Sequence, residues 1–169
     1  LHLRCAPYRS YAIAVTLTSQ EDYPHFLGYD LDEPYHYYRT QEVNGQQYLI
    51  AGGEDHKTGH EENTMMPFEK LVSHVKKFFN IKQVVYRWSS QYFEPADGLA
   101  YIGNLPGNGA GIYVATGFGG NGITYGSLSV IVLSEIIVNG ESRFQDLFDP
   151  NRLKPVAGFS NFIRENADV

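Results

Sequence analysis

Residues 111–139 constrain the fold of this chain more than any other stretch, because they join a short apolar run, a glycine cluster and a long apolar segment. Ile112, Val114 and Ala115 are typical of a buried strand, and residues 123–138 are apolar on nearly every face of a helix. We predict a buried strand, a tight turn and a helix covered by other layers. This helix is expected to be too short, and too interrupted by Ser and Gly, to span a membrane.

The glycine cluster should leave backbone N–H groups uncovered beside a helix N-terminus, which favours an anion or a polar ring. The letters of residues 117–122 match G-x-G-x-x-G. The dinucleotide-binding fingerprint also needs a second strand that ends in an acidic residue about 20 residues later. Glu141 has that spacing, but no β-prone run carries it. The pattern therefore argues against an autonomous dinucleotide-binding domain. An alternative interpretation is a tight βα turn whose glycines serve packing.

The composition is that of a globular domain. The chain has 169 residues, 19% charged and 14% aromatic, and its net charge of −6 argues against a nucleic-acid partner. Cys5 is the only cysteine, so no internal disulfide can form, and we expect it to be a small packed residue and not a nucleophile. With no signal-peptide pattern, a reducing, cytoplasmic location is the expectation. The chain also lacks an initiator Met, so we expect a fragment of a longer protein.

The first half of the chain predicts an antiparallel sheet covered by a helix. Strands are expected over residues 11–17 and 81–93, and a hairpin over residues 35–53, whose tip is an Asn-Gly pair. Residues 67–80 keep the 3.6-residue period of an amphipathic helix, with Pro in its first turn. The predicted fold class is therefore α+β, with a mainly antiparallel sheet flanked by helices.

Residue types that bind metals occur in two polar segments. His56 and His60 are four residues apart, as in a helical zinc site, but flanking glycines indicate a loop and no third ligand is fixed by the spacing. Asp30, Asp32 and Glu33 lack the ligand spacing of a calcium-binding loop and are typical of a turn. We predict no metal site, and keep a metal-dependent enzyme that uses the two histidines as an alternative.

Two motifs in the second half resemble a known family. Trp88 is followed by EPADGLAYIG at residues 94–103, and IYVATGFGGNGIT follows at residues 112–124. In this order and spacing the motifs resemble the C-terminal part of FAD-dependent amine and D-amino-acid oxidases, the family of glycine oxidase and sarcosine oxidase. The similarity extends more loosely over the whole chain.

The resemblance implies a division of the chain and a cofactor. Residues 1–103 would form a substrate-binding domain, residues 104–140 the last strand, glycine turn and helix of an FAD-binding domain, and residues 141–169 a docking segment and tail. The cofactor would be FAD, and the glycine turn would face the flavin ring. The residues implied to line that ring are Gly117, Phe118, Gly119, Gly120, Asn121, Gly122, Ile123 and Thr124.

The chain departs from the family pattern where substrate is bound. Glycine-oxidase-like members have arginines that bind the substrate carboxylate at two positions where this chain has Tyr92 and Gly120. A simple amino-acid substrate is therefore in question. Arg39, Tyr37 and Tyr92 are the candidates for substrate contact, although Arg39 is equally typical of a surface residue. No residue is predicted as catalytic, and without a cysteine in residues 88–97 a covalent flavin link is not expected.

The functional expectation is the C-terminal part of an FAD-dependent oxidoreductase that oxidises an amine or amino-acid-like donor. Because the ADP-binding half is missing from these residues, we expect the chain alone to be inactive and to bind FAD weakly. The tail resembles that of members that continue into a Rieske iron–sulfur domain. The alternative is a non-catalytic binding module whose glycine turn holds an anion.

Overall fold

A computed structural model describes residues 4–109 and 111–152 of the chain. These residues form two compact units: one is Tyr8–Gln91, and the other combines the described residues of Leu1–Pro7 and Tyr92–Val169. Most of the predicted C-terminal tail, residues 153–169, lies outside the described residues. Each unit is described below by itself.

A five-stranded sheet dominates the unit Tyr8–Gln91, with strand order β2–β3–β4–β1–β5. The strands are β1 (Cys5–Leu17), β2 (Gly28–Tyr29), β3 (Tyr37–Val43), β4 (Gln46–Lys57) and β5 (Ile81–Pro95). The pairs β1–β4, β2–β3 and β3–β4 are antiparallel. Asn44 and Gly45 join β3 to β4 with φ angles of 51° and 78°, as a two-residue hairpin turn of the I′ type requires. The predicted hairpin is confirmed.

One face of this sheet is covered by helix α1 (Met66–Val75). Leu71 and Val75 of the helix are fully buried with Ile13, Val15 and Leu49 of the sheet. This core follows from the 3.6-residue period of the helix and the two-residue period of the strands. The helix ends five residues before the predicted end at residue 80, and the chain continues in turns.

The second unit is built on a two-stranded antiparallel sheet and two helices. Its elements are β6 (Tyr101–Asn104), β7 (Tyr113–Thr116), α2 (Gly122–Asn139) and the short α3 (Gln145–Phe148). Ile102, Val132, Ile136 and Phe148 form its buried core. The predicted domain division at residue 103 differs from this arrangement, since β6 pairs with β7 and the two strands cannot be separated.

Helix α2 is not buried on all sides, so this expectation from the sequence is wrong for the described residues. Only Ser129, Val132 and Ile136 of the helix are buried, whereas Ile123 is 90% and Val138 79% exposed. Strand β7 is likewise half-buried at most positions. The apolar sequence demands a covering layer, but β6, β7 and α3 contact only one side of the helix.

The expectation that α2 is too short for a membrane also needs correction. Its 18 residues, with a mean hydropathy of 1.4, are long and apolar enough to cross one by length and composition alone. This is weak evidence, because core helices of soluble proteins satisfy the same two criteria. The sequence argument from length therefore does not hold for this helix.

Arg152 holds the turn between β5 and β6 in place. Its Nε and Nη2 donate to the two carboxylate oxygens of Asp97 at 2.7 and 2.8 Å, and its Nη groups donate to the carbonyls of Leu99 and Ala100. The guanidinium also lies 3.9 Å from the centre of the Tyr101 ring. Both charged side chains are more than nine-tenths buried. Such a pair is stable only while every donor and acceptor stays satisfied.

We predict that Arg152→Ala lowers the free energy of unfolding of the chain by about 3–5 kcal/mol, because it leaves the Asp97 carboxylate buried without its counter-ion. Urea denaturation followed by circular dichroism measures this loss. The matched control is Arg143→Ala, which removes an exposed guanidinium lying over the ring of Phe144 and should cost less than about 1 kcal/mol. Equal losses in the two variants would contradict the role given to the buried pair.

Candidate functional site: the glycine turn and the open face of the sheet

The glycine turn connects β7 to α2 through residues with left-handed backbone. Gly117 and Gly119 have φ angles of 71° and 50°, which side-chain-bearing residues rarely adopt. A Cβ on Gly119 would lie 2.8 Å from Oε2 of Glu94, and a Cβ on Gly117 would lie 3.2 Å from Sγ of Cys5. Backbone geometry therefore favours glycine at both positions, and the Cys5 and Glu94 side chains would have to shift to accept a Cβ there.

The turn is fixed by hydrogen bonds of its own backbone. The Gly119 N–H donates to the carbonyl of Phe93 at 3.1 Å, and the Asn121 N–H donates to the carbonyl of Phe118 at 2.8 Å. The ring of Phe118 stacks on Tyr125 in the first turn of α2, with centroids 5.9 Å apart. These contacts anchor the turn to β5 and to the first turn of α2.

The N-terminus of α2 has no side-chain cap. Asn121 occupies the cap position, but its Nδ2 donates to the carbonyl of Gly119 at 3.1 Å and its side chain accepts no bond from the helix. Residues 120–124 are exposed. An uncapped, exposed helix N-terminus presents orphan N–H donors and the positive end of the helix dipole, which together attract an anion or the electron-rich edge of a ring.

The structure brings the predicted flavin-lining residues together in one continuous surface. Gly117 is buried, Phe118 and Gly119 are half-buried, and the remaining five, from Gly120 to Thr124, are exposed. This gradient matches a turn anchored at its base and open at its tip. The assignment of these eight residues to a flavin stays a prediction.

Two of the three predicted substrate contacts share one face of the sheet. Tyr37 and Arg39 are two residues apart on β3, and Arg39 donates to Oε1 of Gln41 at 2.6 Å. Burial, followed by the nearby Asp55 carboxylate, raises the pKa of Tyr37 above its ordinary value. Tyr92 lies on the part of β5 that belongs to the other compact unit.

This face of the sheet, opposite to α1, carries a hollow of about 370 Å³ that the sequence reasoning missed. Tyr48, Tyr86 and Trp88 give it an aromatic lining, and Ala14 of β1 gives it a small-residue floor. Tyr86 and Trp88 are 59% and 44% exposed. The spacing of Tyr86 and Trp88 along β5 could have indicated this aromatic surface, since residues two apart in a strand point to the same side. We call this surface the open face.

The alternative sites considered from the sequence do not assemble. His56 is used within the sheet, where its Nε2 lies 2.8 Å from the Tyr11 hydroxyl and its Nδ1 lies 2.9 Å from the Lys57 carbonyl. Among the residues that the structure describes, His56 and His60 do not belong to any converging group of metal-binding atoms. Burial raises the pKa of the Cys5 thiol, which agrees with a packed and unreactive cysteine.

Comparisons with known proteins bear on both the fold and the family. The solved structure of glycine oxidase from Geobacillus kaustophilus superposes with a TM-score of 0.68 at 21% identity, over 89% of this chain and 40% of that one. Iminodiacetate oxidase from Chelativorans sp. BNC1 superposes with a TM-score of 0.64 at 13% identity, over 87% and 40%. The predicted fold class, a mostly antiparallel sheet with flanking helices, is confirmed.

Sequence similarity gives the family. The chain is 30% identical over 161 residues to YhfW of Bacillus subtilis (strain 168), whose name describes a Rieske 2Fe-2S iron-sulfur protein. The alignment covers 95% of this chain and 31% of YhfW, so the chain spans about a third of that relative's length. The family model described as DAO, FAD dependent oxidoreductase, matches residues 1–135. This chain therefore belongs to the DAO family of FAD-dependent oxidoreductases.

Proposed function

We propose that the chain is the C-terminal, substrate-domain part of an FAD-dependent oxidoreductase that takes a hydride from an amine or amino-acid-like donor. The observation that carries the proposal is the uncapped N-terminus of α2 behind the glycine turn. It is the one described surface that combines exposed backbone N–H donors with an anchored turn whose backbone favours glycine. Membership of the DAO family supplies the cofactor class that such a surface would hold.

The residues present fit the isoalloxazine edge of FAD. Close approach of a planar ring needs a backbone without Cβ atoms, and nothing lies within 4 Å of the positions that Cβ atoms would take on Gly120 and Gly122. The N–H groups of the first turn of α2 would stabilise negative charge on the pyrimidine edge of a reduced flavin. Phe118, held by its stack on Tyr125, would limit water at this edge.

When bound, the flavin accepts the hydride, and this chain's residues bind, orient and tune it. The base of the turn is kept in place by the Phe93 carbonyl and by the Arg152–Asp97 pair on the adjoining turn. We assign no acid or base in this chain to proton transfer. The role proposed for the site is therefore positional and electrostatic.

The open face is our proposed substrate side of the sheet. It combines the exposed rings of Tyr86 and Trp88 and the half-buried ring of Tyr48 with the guanidinium of Arg39 further along β3. Aromatic rings accept apolar groups and cations, whereas Arg39 offers a partner for a carboxylate. Because Tyr92 and Gly120 replace the two arginines described above, a larger amine is a better match than a simple amino acid.

The exposed side of α2 supports the proposal that this chain is part of a longer protein. Ile123, Val130, Ile137 and Val138 are each at least 60% exposed, although such residues are normally covered. The relatives that the chain matches are about two and a half to three times longer than the part it covers. We propose that the FAD-binding half packs on this side, that a Rieske domain follows as the name of YhfW suggests, and that the protein is cytoplasmic.

We predict that, in the full-length protein, Gly119→Val weakens FAD binding by about tenfold or more. A β-branched residue cannot adopt a φ of 50° without strain, and its Cβ would displace the Glu94 carboxylate from beside the turn. The measurement is FAD titration of the apoprotein, followed by flavin fluorescence. The same titration on the 169-residue chain alone should show weak binding or none.

Gly126→Ala is the matched control for this experiment. Gly126 lies within α2, has no neighbour within 4 Å of an added Cβ and has helical backbone, so alanine should leave FAD affinity unchanged. Equal FAD affinity in the two variants would contradict the flavin-lining role of the turn. A full-length protein that binds no FAD, but binds phosphate through the same turn, would instead support the non-catalytic anion-binding module.

A further inference from the structure

A cluster of two buried histidines and two half-buried carboxylates lies in the unit Tyr8–Gln91, apart from the glycine turn in sequence. Asp30 follows β2, His36 precedes β3, Glu54 lies on β4 and His74 lies on α1. The side chains of His36 and His74 are 95% and 90% buried, and their rings stack with centroids 3.6 Å apart. Three separate segments of the chain, namely the loop between β2 and β3, strand β4 and helix α1, thus meet at one point.

His36 is oriented by a carboxylate on each side. Its Nε2 lies 3.1 Å from Oε1 of Glu54, and its Nδ1 lies 3.0 Å from Oδ2 of Asp30. An imidazole N–H donated to a carboxylate on one side is the usual arrangement of a metal-ligating histidine, whose other nitrogen holds the ion. In this cluster Nε2 of His36 faces Glu54, and Nδ1 of His36 faces Oδ2 of Asp30. A cation, either a proton or a metal ion, must therefore lie between Nδ1 and Oδ2.

The position of His74 favours a metal ion over a proton. Its Nε2 lies 3.4 Å from the same Oδ2 of Asp30. The angles do not make this a hydrogen bond, and Nε2 is buried with no hydrogen-bond partner among the residues that the structure describes. A proton between His36 and Asp30 would satisfy His36 and leave this nitrogen unsatisfied. A metal ion satisfies both imidazoles, and buried polar atoms are rarely left unsatisfied.

The backbone at Glu54 is held in an uncommon conformation. Its φ is 56°, a left-handed value that residues with a side chain rarely adopt. The strain brings the Glu54 carboxylate to His36, and a Cβ on the preceding Gly53 would lie 2.6 Å from the carbonyl oxygen of Tyr35. The surrounding structure therefore maintains the carboxylate–histidine contact at an energetic cost, as it does at binding sites more often than elsewhere.

We propose that Asp30, His36 and His74 bind a divalent transition-metal ion, for which Zn²⁺ is the probe. The ligand atoms are Oδ2 of Asp30, Nδ1 of His36 and Nε2 of His74, and Glu54 fixes His36 from outside the coordination shell. In a tetrahedral zinc site with bonds of about 2.0–2.1 Å, ligand atoms lie about 3.3 Å apart. Nδ1 of His36 is already 3.0 Å from Oδ2 of Asp30, whereas Nε2 of His74, now 3.4 Å from that oxygen, must move when the ion binds. Two imidazoles and one carboxylate favour such an ion over Ca²⁺ or Mg²⁺.

Binding requires the His74 ring to leave its stack on His36, and it has a structural consequence. Because the two rings are stacked, an ion in the plane of His36 is reached by His74 only after its ring turns about the Cβ–Cγ bond. The bound ion then joins α1 and the loop after β2 to the sheet. The site replaces the sequence prediction of no metal, and it differs from the pair His56 and His60 considered there.

The test is a Zn²⁺ titration of the full chain by calorimetry at neutral pH, after removal of metal with a chelator. We expect one Zn²⁺ per chain and a raised melting temperature in its presence. His74→Gln should abolish the binding, and Glu54→Gln, which keeps all three ligands, should weaken it about 10–100-fold. His60→Gln changes an exposed histidine and should bind like the unmodified chain.

Three results would overturn the proposal. The first is that the unmodified chain binds no Zn²⁺, which would leave a proton between His36 and Asp30. The second is unchanged affinity in both His74→Gln and Glu54→Gln. The third is loss of binding in His60→Gln, which would place the metal in the polar loop. Glu54→Gln keeps the proposal testable if His74→Gln fails to fold, because the hydrogen-bonding shape of residue 54 is conserved.

Discussion

The absence of a cap on α2 is the constraint on which the functional account depends. A helix of 18 residues leaves several N–H groups at its start without internal partners, and these must be satisfied by a side chain, water or a ligand. Here the residue at the cap position turns its amide back to Gly119. The glycine turn, its hydrogen bond to Phe93 and the buried Arg152–Asp97 pair all hold this open helix end in a fixed place.

Much of the sheet could be predicted because its determinants are local. The Asn-Gly pair specifies the hairpin, and the alternation of side chains along β3 separates Tyr37 and Arg39 from Tyr38 and Thr40. The helix α1 followed from its apolar period, although its end did not, because the pattern continues into the turns after Lys76.

The features that the sequence did not predict depend on contacts between residues that are far apart in the chain. The sequence of α2 correctly indicates that all its sides are apolar, but periodicity cannot say whether the covering surface belongs to the same stretch of chain. The sequence analysis did not pair His36 with His74, which the proposed metal site brings together, for a related reason. They are separated by more than 35 residues, and only the packing of α1 on the sheet brings their rings to 3.6 Å. Spacing instead drew attention to His56 and His60, which are neighbours only in sequence.

The two candidate sites differ in how family membership bears on them. The glycine turn gains support from the match to FAD-dependent oxidoreductases, and its residues carried the resemblance in the first place. The histidine cluster gains nothing from that match, and stands only on burial, distances and an unsatisfied nitrogen. A structural ion at the cluster would stabilise the sheet unit and leave hydride transfer to the flavin.

The central claim is that this chain works as part of a flavoprotein. It is tested most directly by the visible absorption spectrum and intact mass of the native protein purified from its source. The account predicts flavin absorption bands and a mass well above the 19.1 kDa of this chain. A colourless protein with a mass close to 19.1 kDa would contradict it and leave a binding module built on the fold of an oxidase.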